Sequence, residues 1–265
     1  MTATDRLFAR LAQEAAVMVT VHAARGSVPR EKGAWMAVFA EGTVGTVGGG
    51  QLEFAAIHEA RQRLLGGEGE PVLRYALGPA LGQCCGGEVH LRFEAVRAAD
   101  LDALQVRLAV ARVPLALFGG GHVGRALVRV LARLPLQLTW IDSREEVFPA
   151  GLPSHVSCEH SDPVQAAVSG LASGSRVLIM SFSHAEDLDV VAACLTRQRL
   201  HADLPYVGLI GSQSKWATFR HRLEARGFSA QELAHITCPI GVPGISGKAP
   251  EVIAVAVAAQ ILQTL

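Results

Sequence analysis

The sequence predicts an α/β protein in which a small α+β N-terminal domain precedes a Rossmann-like parallel-sheet domain. Two observations carry this prediction. The first half of the 265 residues has short apolar runs of strand length, separated by glycines, around one helical segment. In the second half, strands that are apolar throughout alternate with helices of about 10 to 15 residues, as in parallel sheets covered on both faces. The predicted domains are residues 1–98 and 112–265.

The first domain is predicted to contain an amphipathic helix at its start and then one central helix among several strands, because short strand-length apolar runs give way to helical spacing after residue 50. The predicted elements are a helix over 5–14, strands over 17–22 and 34–40, a helix over 52–65, and strands over 71–76 and 89–95.

The second domain is predicted from strand-then-helix pairs. A helix over 99–111 leads into this domain. Its predicted elements are a strand over 113–118 with a helix to 133, a strand over 137–141, and the pairs 176–181 with 186–198 and 205–210 with 214–226. The last predicted helix, 250–265, is apolar on most sides, so we expect it to be buried in the fold or at an oligomer interface.

Composition excludes several classes of function. The chain has 24 Lys and Arg against 24 Asp and Glu, a formal net charge of zero, which argues against nucleic acid or an anionic membrane as the main partner. The longest apolar run, 252–259, is much shorter than the roughly 18 residues that span a bilayer. Five cysteines and no export signal indicate free thiols in a reducing compartment, so we expect a cytoplasmic protein.

A dinucleotide-binding fingerprint follows the strand at 113–118. Gly119, Gly121 and Gly124 open a helix, His122 lies between them, and Asp142 ends the next strand. Such a turn lets a pyrophosphate reach the helix N-terminus, and the acidic residue accepts a hydrogen bond from a ribose 2′-OH. Two alternatives remain: the glycines serve close packing of helix against strand, or a different anionic ligand uses the same amides.

A second constellation combines Ser27 and Arg30 with the glycines Gly48–Gly50. A triple glycine at a helix start presents backbone N–H groups to an anion, and Arg30 suits phosphate or carboxylate. The alternative is a glycine-rich hairpin with Arg30 in solvent. Glu53, in the first helical turn, is expected to cap the helix N-terminus or to interact with the helix dipole rather than act as a catalytic acid.

Cys84 and Cys85 precede the glycine pair Gly86-Gly87. Adjacent cysteines do not suit a structural zinc site, whereas an accessible thiol in a glycine turn suits a soft metal ligand or a reactive group, with Cys85 favoured. The alternative is that both are small buried residues.

Two further turns follow predicted strands. His184 lies at the rim where α/β sheets place ligands, or neighbours a helix cap. The turn 211–215 has a composition that suits an anion. No catalytic triad, carboxylate pair or Walker loop is present in the sequence, so no catalytic residue is assigned.

Taken together, the ordered motifs resemble the XdhC/CoxI family, the accessory proteins of bacterial xanthine dehydrogenase and related molybdenum hydroxylases. The resemblance covers nearly the whole chain from about residue 15. The motifs are Ser27-x-Pro29-Arg30-x-x-Gly33-Ala34-x-Met36, Gly45-Thr46-x-Gly48-Gly49-Gly50-x-Leu52-Glu53, Cys84-Cys85-Gly86-Gly87, Phe118-Gly119-Gly120-Gly121-His122-Val123-Gly124, Asp142-Ser143-Arg144, Val207-Gly208-Leu209-Ile210-Gly211-Ser212-x-x-Lys215, Cys238-Pro239-Ile240-Gly241 and Pro250-Glu251.

The resemblance implies a non-enzymatic chaperone of the molybdenum cofactor (molybdopterin). Such a protein holds the cofactor while a cysteine desulfurase exchanges an oxo ligand for sulfur, and then delivers it to apo-xanthine dehydrogenase. It implies Cys85, with Cys84, near the molybdenum, and Ser27, Arg30 and Gly48–Gly50 as pocket lining.

By the same resemblance, the Gly119 to Gly124 turn would hold the pterin phosphate or a nucleotide. Glu186 stands where relatives more often have a second histidine. A homodimer is expected. The alternative from another class is an NAD(P)-dependent oxidoreductase with His184 or His122 as its acid/base, and a nucleotide-binding regulator is a third.

Overall fold

The computed structural model describes residues 2–77, 86–109 and 111–265. The chain forms two compact units, Met1–Ala109 and Val110–Leu265. The division between them falls inside the segment 98–112 that separates the two predicted domains. Each unit has its own sheet and its own hydrophobic core, and each is described by itself below.

The N-terminal unit is built on a five-stranded antiparallel sheet in the order β3-β2-β1-β5-β4. The central strand β1 pairs with β5 along its whole length, with a register shift after Val21. The strands are β1 Ala16–Arg25, β2 Trp35–Val38, β3 Thr43–Gly45, β4 Val72–Ala76 and β5 Glu88–Val96.

Helices cover both faces of this sheet. α2 (Gly50–Leu64) buries Leu52, Ala56 and Ala60, spaced four residues apart, against one face. α1 (Ala3–Leu11) and α3 (Leu101–Arg107) pack with a second cluster that includes Met18 and Phe39. The helix predicted over 99–111 is shorter in the structure: a 3-10 turn at Ala98–Asp100 precedes α3, and α3 ends at Arg107.

The C-terminal unit is a six-stranded parallel sheet in the order β11-β10-β9-β6-β7-β8. This is the doubly wound Rossmann order, and its topological switch point lies between β6 and β9. The predicted fold class is therefore confirmed. The strands are β6 Val113–Phe118, β7 Leu136–Asp142, β8 Val156–His160, β9 Arg176–Ile179, β10 Tyr206–Leu209 and β11 Ile236–Thr237.

Two helical layers sandwich the parallel sheet and give it two cores. One core packs α5 and α6, and the other packs α4 and α8. The helices are α4 His122–Leu131, α5 His184–His201, α6 Gln213–Ala225, α7 Ala230–Leu233 and α8 Pro250–Leu262, with 3-10 turns at Glu145–Val147 and Val164–Gly170.

The apolar helix α8 is buried on one side only. Ala254, Val257 and Ile261 are completely buried, whereas Val255 is 53% and Leu262 is 47% exposed. One face of α8 is therefore buried within the fold, as expected. The homodimer stays a prediction. Within the described ranges, no helix is both long and apolar enough to cross a membrane.

Candidate functional site

In the N-terminal unit, the Ser27–Arg30 loop and the triple-glycine turn lie against each other. A Cβ atom on Gly48 would come within 2.5 Å of the Pro29 ring and 3.7 Å of Cγ of Arg30. Gly48 also has a φ of 135°, in the region that favours glycine. The side chain missing at position 48 is therefore what lets the two motifs touch.

The glycine pair after Cys85 joins the same place. A Cβ atom on Gly87 would lie 2.3 Å from the carbonyl oxygen of Ser27 and 2.8 Å from that of Arg25. The strand register agrees, because Arg25 at the end of β1 faces Glu88 at the start of β5. Cys84 and Cys85 themselves lie outside the described residues.

This assembly includes accessible backbone and two exposed arginines. Space is free at the Cβ positions of Gly49 and Gly86, so their backbone can be approached closely. Arg25 and Arg30 are exposed, and neither guanidinium has a hydrogen-bond or ion-pair partner in the part of the chain that the structure describes. The site can therefore offer two cations to an anionic molecule.

Glu53 organises the triple-glycine turn. Its Oε2 accepts the N–H groups of Val47 and Gly49, each at 3.1 Å, and the hydroxyl of Thr46. The Thr46 oxygen in turn accepts the N–H of Gly48 at 3.1 Å. The expectation that Glu53 interacts with the helix N-terminus is confirmed. Thr46 also accepts a hydrogen bond in this turn, which the sequence pattern did not indicate.

In the C-terminal unit, two of the three fingerprint glycines are needed for packing. Gly119 has a φ of 121°, and a Cβ there would lie 2.0 Å from the carbonyl oxygen of Met180. A Cβ on Gly124 would lie 2.0 Å from the carbonyl oxygen of Gly119. Gly121 has free space, so close approach by a ligand is possible there. The packing alternative thus holds for Gly119 and Gly124.

Asp142 is 1% exposed and has its acceptors occupied. Oδ2 accepts the N–H of Gly120 at 2.6 Å, and the Arg144 guanidinium and backbone N–H also donate to the carboxylate. Burial acts to raise the pKa of Asp142, but the hydrogen bonds from Arg144 and Gly120 outweigh it, so the pKa lies below its ordinary value. A ribose hydroxyl at this carboxylate would have to displace Arg144.

Family models match both units. The model described as the XdhC Rossmann domain matches residues 115–261, more than half of the chain, and the model for the XdhC and CoxI family matches residues 9–76. The chain belongs to the XdhC and CoxI family. The resemblance stated from the motifs is thereby confirmed.

Two relatives of this family member show different extents of likeness. The uncharacterized protein YqeB of Escherichia coli (strain K12) is 29% identical over 255 residues, which cover 93% of this chain and 43% of YqeB. The chain thus spans less than half the length of that relative. A crystal structure from Bacillus halodurans, described as a xanthine dehydrogenase, has a TM-score of 0.77 at 20% identity, covering 100% of this chain and 96% of that one. This second likeness shows a shared fold.

In this XdhC Rossmann domain, two contacts bridge the loops on either side of β6. The Ser143 hydroxyl, after β7, donates to Glu186 Oε1 of α5 at 2.8 Å. The Arg144 guanidinium lies 4.3 Å from the ring centroid of Phe182, after β9, and the N–H of Phe182 donates to Glu186 at 3.0 Å. Because β6 lies between β7 and β9, these contacts pass across the carboxyl end that carries the glycine turn.

The two candidate histidines occupy the first positions of their helices. His184 follows the capping residue Ser183, whose hydroxyl accepts the N–H of Glu186, and its ring meets Phe219 edge-on at 6.3 Å. His122 begins α4 and is exposed. His184 therefore has the position of a helix-cap neighbour, and a role for either ring toward a ligand stays a prediction.

A buried ion pair ties the turns after β9 and β10. Lys215 Nζ donates to Asp187 Oδ2 at 2.6 Å and to the carbonyl of Ile210 at 2.8 Å, with side chains that are 11% and 3% exposed for Lys215 and Asp187. The cation of the predicted anion turn is thus already paired. The hydroxyl oxygen of Ser181 beside it is buried and has no partner in the described ranges. Burial raises the pKa of the nearby Cys238 thiol.

Proposed function

We propose that this family member is an accessory protein of xanthine dehydrogenase maturation that binds molybdenum cofactor as its cargo. In this proposal it holds the cofactor while a cysteine desulfurase supplies the terminal sulfur, and then transfers it to the apo-dehydrogenase. It acts by binding and delivery, without turnover of its own. Membership of the XdhC and CoxI family supports the accessory role.

The observation that carries the proposal is the convergence of three separate motifs in the N-terminal unit. The Ser27–Arg30 loop, the Gly48–Gly50 turn and Gly86-Gly87 come together around accessible backbone, beside arginines that have no partner among the described residues. A cofactor with an anionic phosphate and a flat heterocycle needs both cations and close backbone approach.

The residue that follows Cys85 in the sequence, Gly86, belongs to this assembly. We therefore propose Cys85, together with Cys84, as the soft thiolate ligand for molybdenum. Thiolates suit a transition metal that itself carries sulfur ligands, and the bound metal centre supplies the position at which sulfur replaces oxygen. Arg30 and Ser27 would orient the anionic part of the cargo.

A nucleotide at the C-terminal unit is the second candidate, favoured by the Rossmann order and the open Gly121. A dehydrogenase that reads a ribose through Asp142 is disfavoured, because Arg144 already occupies that carboxylate. Calorimetric titration with NAD and NADP tests this alternative. Tight binding of either, with hydride transfer to a substrate, would replace the chaperone proposal.

Expression in a molybdopterin-producing host tests the primary proposal. Metal analysis and mass spectrometry of the extracted pterin should find about one cofactor per chain. The Cys84→Ala/Cys85→Ala double variant should lose most of the molybdenum, whereas Cys158→Ala, which alters an exposed cysteine elsewhere, should retain it. Cofactor-free wild-type protein would refute the function, and full retention by the double variant would refute the thiolate role.

A further inference from the structure

One face of the five-stranded N-terminal sheet is covered by helices at one end and exposed at the other. At the covered end, Met18 and Val96 pack with α1 and α3, and Arg107 of α3 pairs with Glu94 at 2.8 Å. Further along β1, β4 and β5, no described residue of this face is buried. Six polar residues there form opposed pairs, and we call these six residues the open sheet face. The pairs are Thr20 with Arg92, His90 with Arg74, and Arg25 with Glu88.

The strand register settles that these six side chains share a face. Directly opposed residues of antiparallel strands project from the same side, and successive residues alternate between the two sides. Val89, Leu91 and Phe93 alternate along β5 with the polar residues and are buried in the cluster that α2 covers. The polar residues of β5 therefore project from the side opposite α2.

The open sheet face carries a net positive charge. Glu88 is its one carboxylate, and it lies 2.5 Å from the Arg74 guanidinium and 2.7 Å from His90 Nε2. Hydrogen bonds from these two partners lower the pKa of Glu88 to about 2, so it is ionised at neutral pH. Arg25 and Arg92 are exposed and have no hydrogen-bond or ion-pair partner among the described residues. Three arginines thus stand against one carboxylate.

This positive charge is local, because the N-terminal unit as a whole is not basic. Residues 1–109 contain 11 Lys and Arg against 12 Asp and Glu. Residues 78–85, which lie outside the described ranges, contain no charged side chain and so leave this balance unchanged. A partner that matches the face has a compact acidic patch. A long polyanion such as nucleic acid is a poorer match, because it needs a more extended basic surface.

The open sheet face borders the motifs of the proposed cargo site at two places. A Cβ atom on Gly87 would lie 2.8 Å from the carbonyl oxygen of Arg25. Thr20 lies opposite Trp35 of β2, and the Trp35 carbonyl accepts the N–H of Thr46, just before the triple-glycine turn, at 3.0 Å. A protein docked on this face would therefore stand beside both motifs.

We propose that the open sheet face is the surface on which the protein that receives the cargo docks, through an acidic patch of its own. This inference rests on the proposed function, because it names the surface that delivery uses. Arginine is among the residues enriched at protein interfaces, and complementary charges steer two proteins into one orientation. Docking beside the cargo motifs shortens the path of the cofactor to its receiver.

Association with purified, cofactor-free xanthine dehydrogenase tests the proposal, with the full chain in solution and the dehydrogenase immobilised for biolayer interferometry. Arg92→Glu should lower the association rate constant about tenfold at low salt, and much less at high salt, where the attraction is screened. Glu88→Gln removes the negative charge of the face and should raise the rate constant about twofold. Arg61→Glu makes the same charge change on α2, on the other side of the sheet, and should match wild type.

A folding defect cannot produce opposite changes in Arg92→Glu and Glu88→Gln. Both variants should retain the wild-type melting temperature and the wild-type amount of cofactor, because neither residue belongs to the cargo motifs. Equal rate constants for Arg92→Glu and Arg61→Glu would overturn the inference. An effect of Arg92→Glu seen only with an RNA oligonucleotide or with phosphatidylserine vesicles would overturn it as well.

The host-expression experiment keeps this failure distinct from failure of the proposed function. Wild-type protein without cofactor would remove the proposed function. Wild-type protein that carries the cofactor, but associates with the dehydrogenase no faster than Arg92→Glu does, would remove only the docking surface.

Discussion

The glycine turns before α2 and α4 are each held by a carboxylate, but the two carboxylates have different partners. In the N-terminal unit, Glu53 accepts N–H groups of the turn before α2. In the C-terminal unit, Asp142 accepts the N–H of Gly120 in the turn before α4. Each carboxylate fixes the shape of a turn that glycine would otherwise leave free.

The difference lies in what else the carboxylate meets. Asp142 is 1% exposed and lies in an ion pair with Arg144, 2.9 Å from Nε to Oδ1. Glu53 is half-buried and accepts hydrogen bonds only from neutral groups of the described residues. Similar glycine motifs are therefore held in different ways, one by a carboxylate that is paired with a cation and one by a carboxylate that accepts only from neutral groups.

We expect the largest effect from replacing a glycine whose Cβ position is occupied by neighbouring atoms. Gly119 and Gly121 of the same turn differ in this respect. Gly119→Ala places a Cβ 2.0 Å from the Met180 carbonyl at a φ of 121°, so we expect a loss of about 3–4 kcal/mol in unfolding free energy. Gly121→Ala, with free space, should cost less than about 1 kcal/mol. Denaturant unfolding measures both, and equal losses would contradict this account of the turn.

Removal of the paired carboxylate should come next. Asp142→Ala leaves Arg144 without its partner and Gly120 without its acceptor, which should cost about 3 kcal/mol. Glu145→Gln, an exposed neighbour, should change stability by less than about 0.5 kcal/mol. An effect of Asp142→Ala as small as that of Glu145→Gln would show that the ion pair adds nothing to the fold.

The carboxylate of Glu53 should matter less for stability. Glu53→Ala frees two backbone N–H groups and one hydroxyl at a half-buried place where water can replace the acceptor, so about 1–2 kcal/mol should be lost. A loss as large as that of Asp142→Ala in the same thermal or denaturant assay would mean that the two turns are not distinguished by the ion pair.

The smallest effect is the pH dependence of stability. The pKa of the Asp142 carboxyl is lower in the folded state than in the unfolded state, so this group stabilises the fold fully at pH values above its unfolded pKa of about 3.9. That stabilisation is lost as the pH falls through the lower pKa of the folded state. Unfolding curves from about pH 6 down to about pH 2 should show this loss in wild type and a smaller one in Asp142→Asn. Identical slopes in the two proteins would contradict the assignment.

Much of the fold was predictable because it follows from local pattern. The strand at 113–118 has the predicted bounds, since an apolar run that ends at a glycine leaves little choice. The edge strands Val156–His160 and Ile236–Thr237 were missed: the first buries only Val156, and the second has two residues, so neither has an alternating pattern.

The candidate site was predictable in its members and less so in its contacts. Ser27, Arg30, Gly48 and Gly87 lie close together, and their binding of a common ligand stays a prediction. The ion pair of Arg144 with Asp142 could have been predicted from the sequence, because the two residues lie two positions apart at the end of a strand. The bridge from Ser143 to Glu186 has none, because 43 residues separate them and only the strand order brings them near.

By itself, the sequence determined the fold class, the family and the positions of the glycine turns, because these depend on periodicity and on residues without a side chain. Only the tertiary structure decided what those turns present. The charge that Glu53 or Asp142 shows to a ligand depends on burial and on which groups donate to each carboxylate. Burial is set when distant segments pack around the turn, as when Asp142 meets Gly120, 22 residues away.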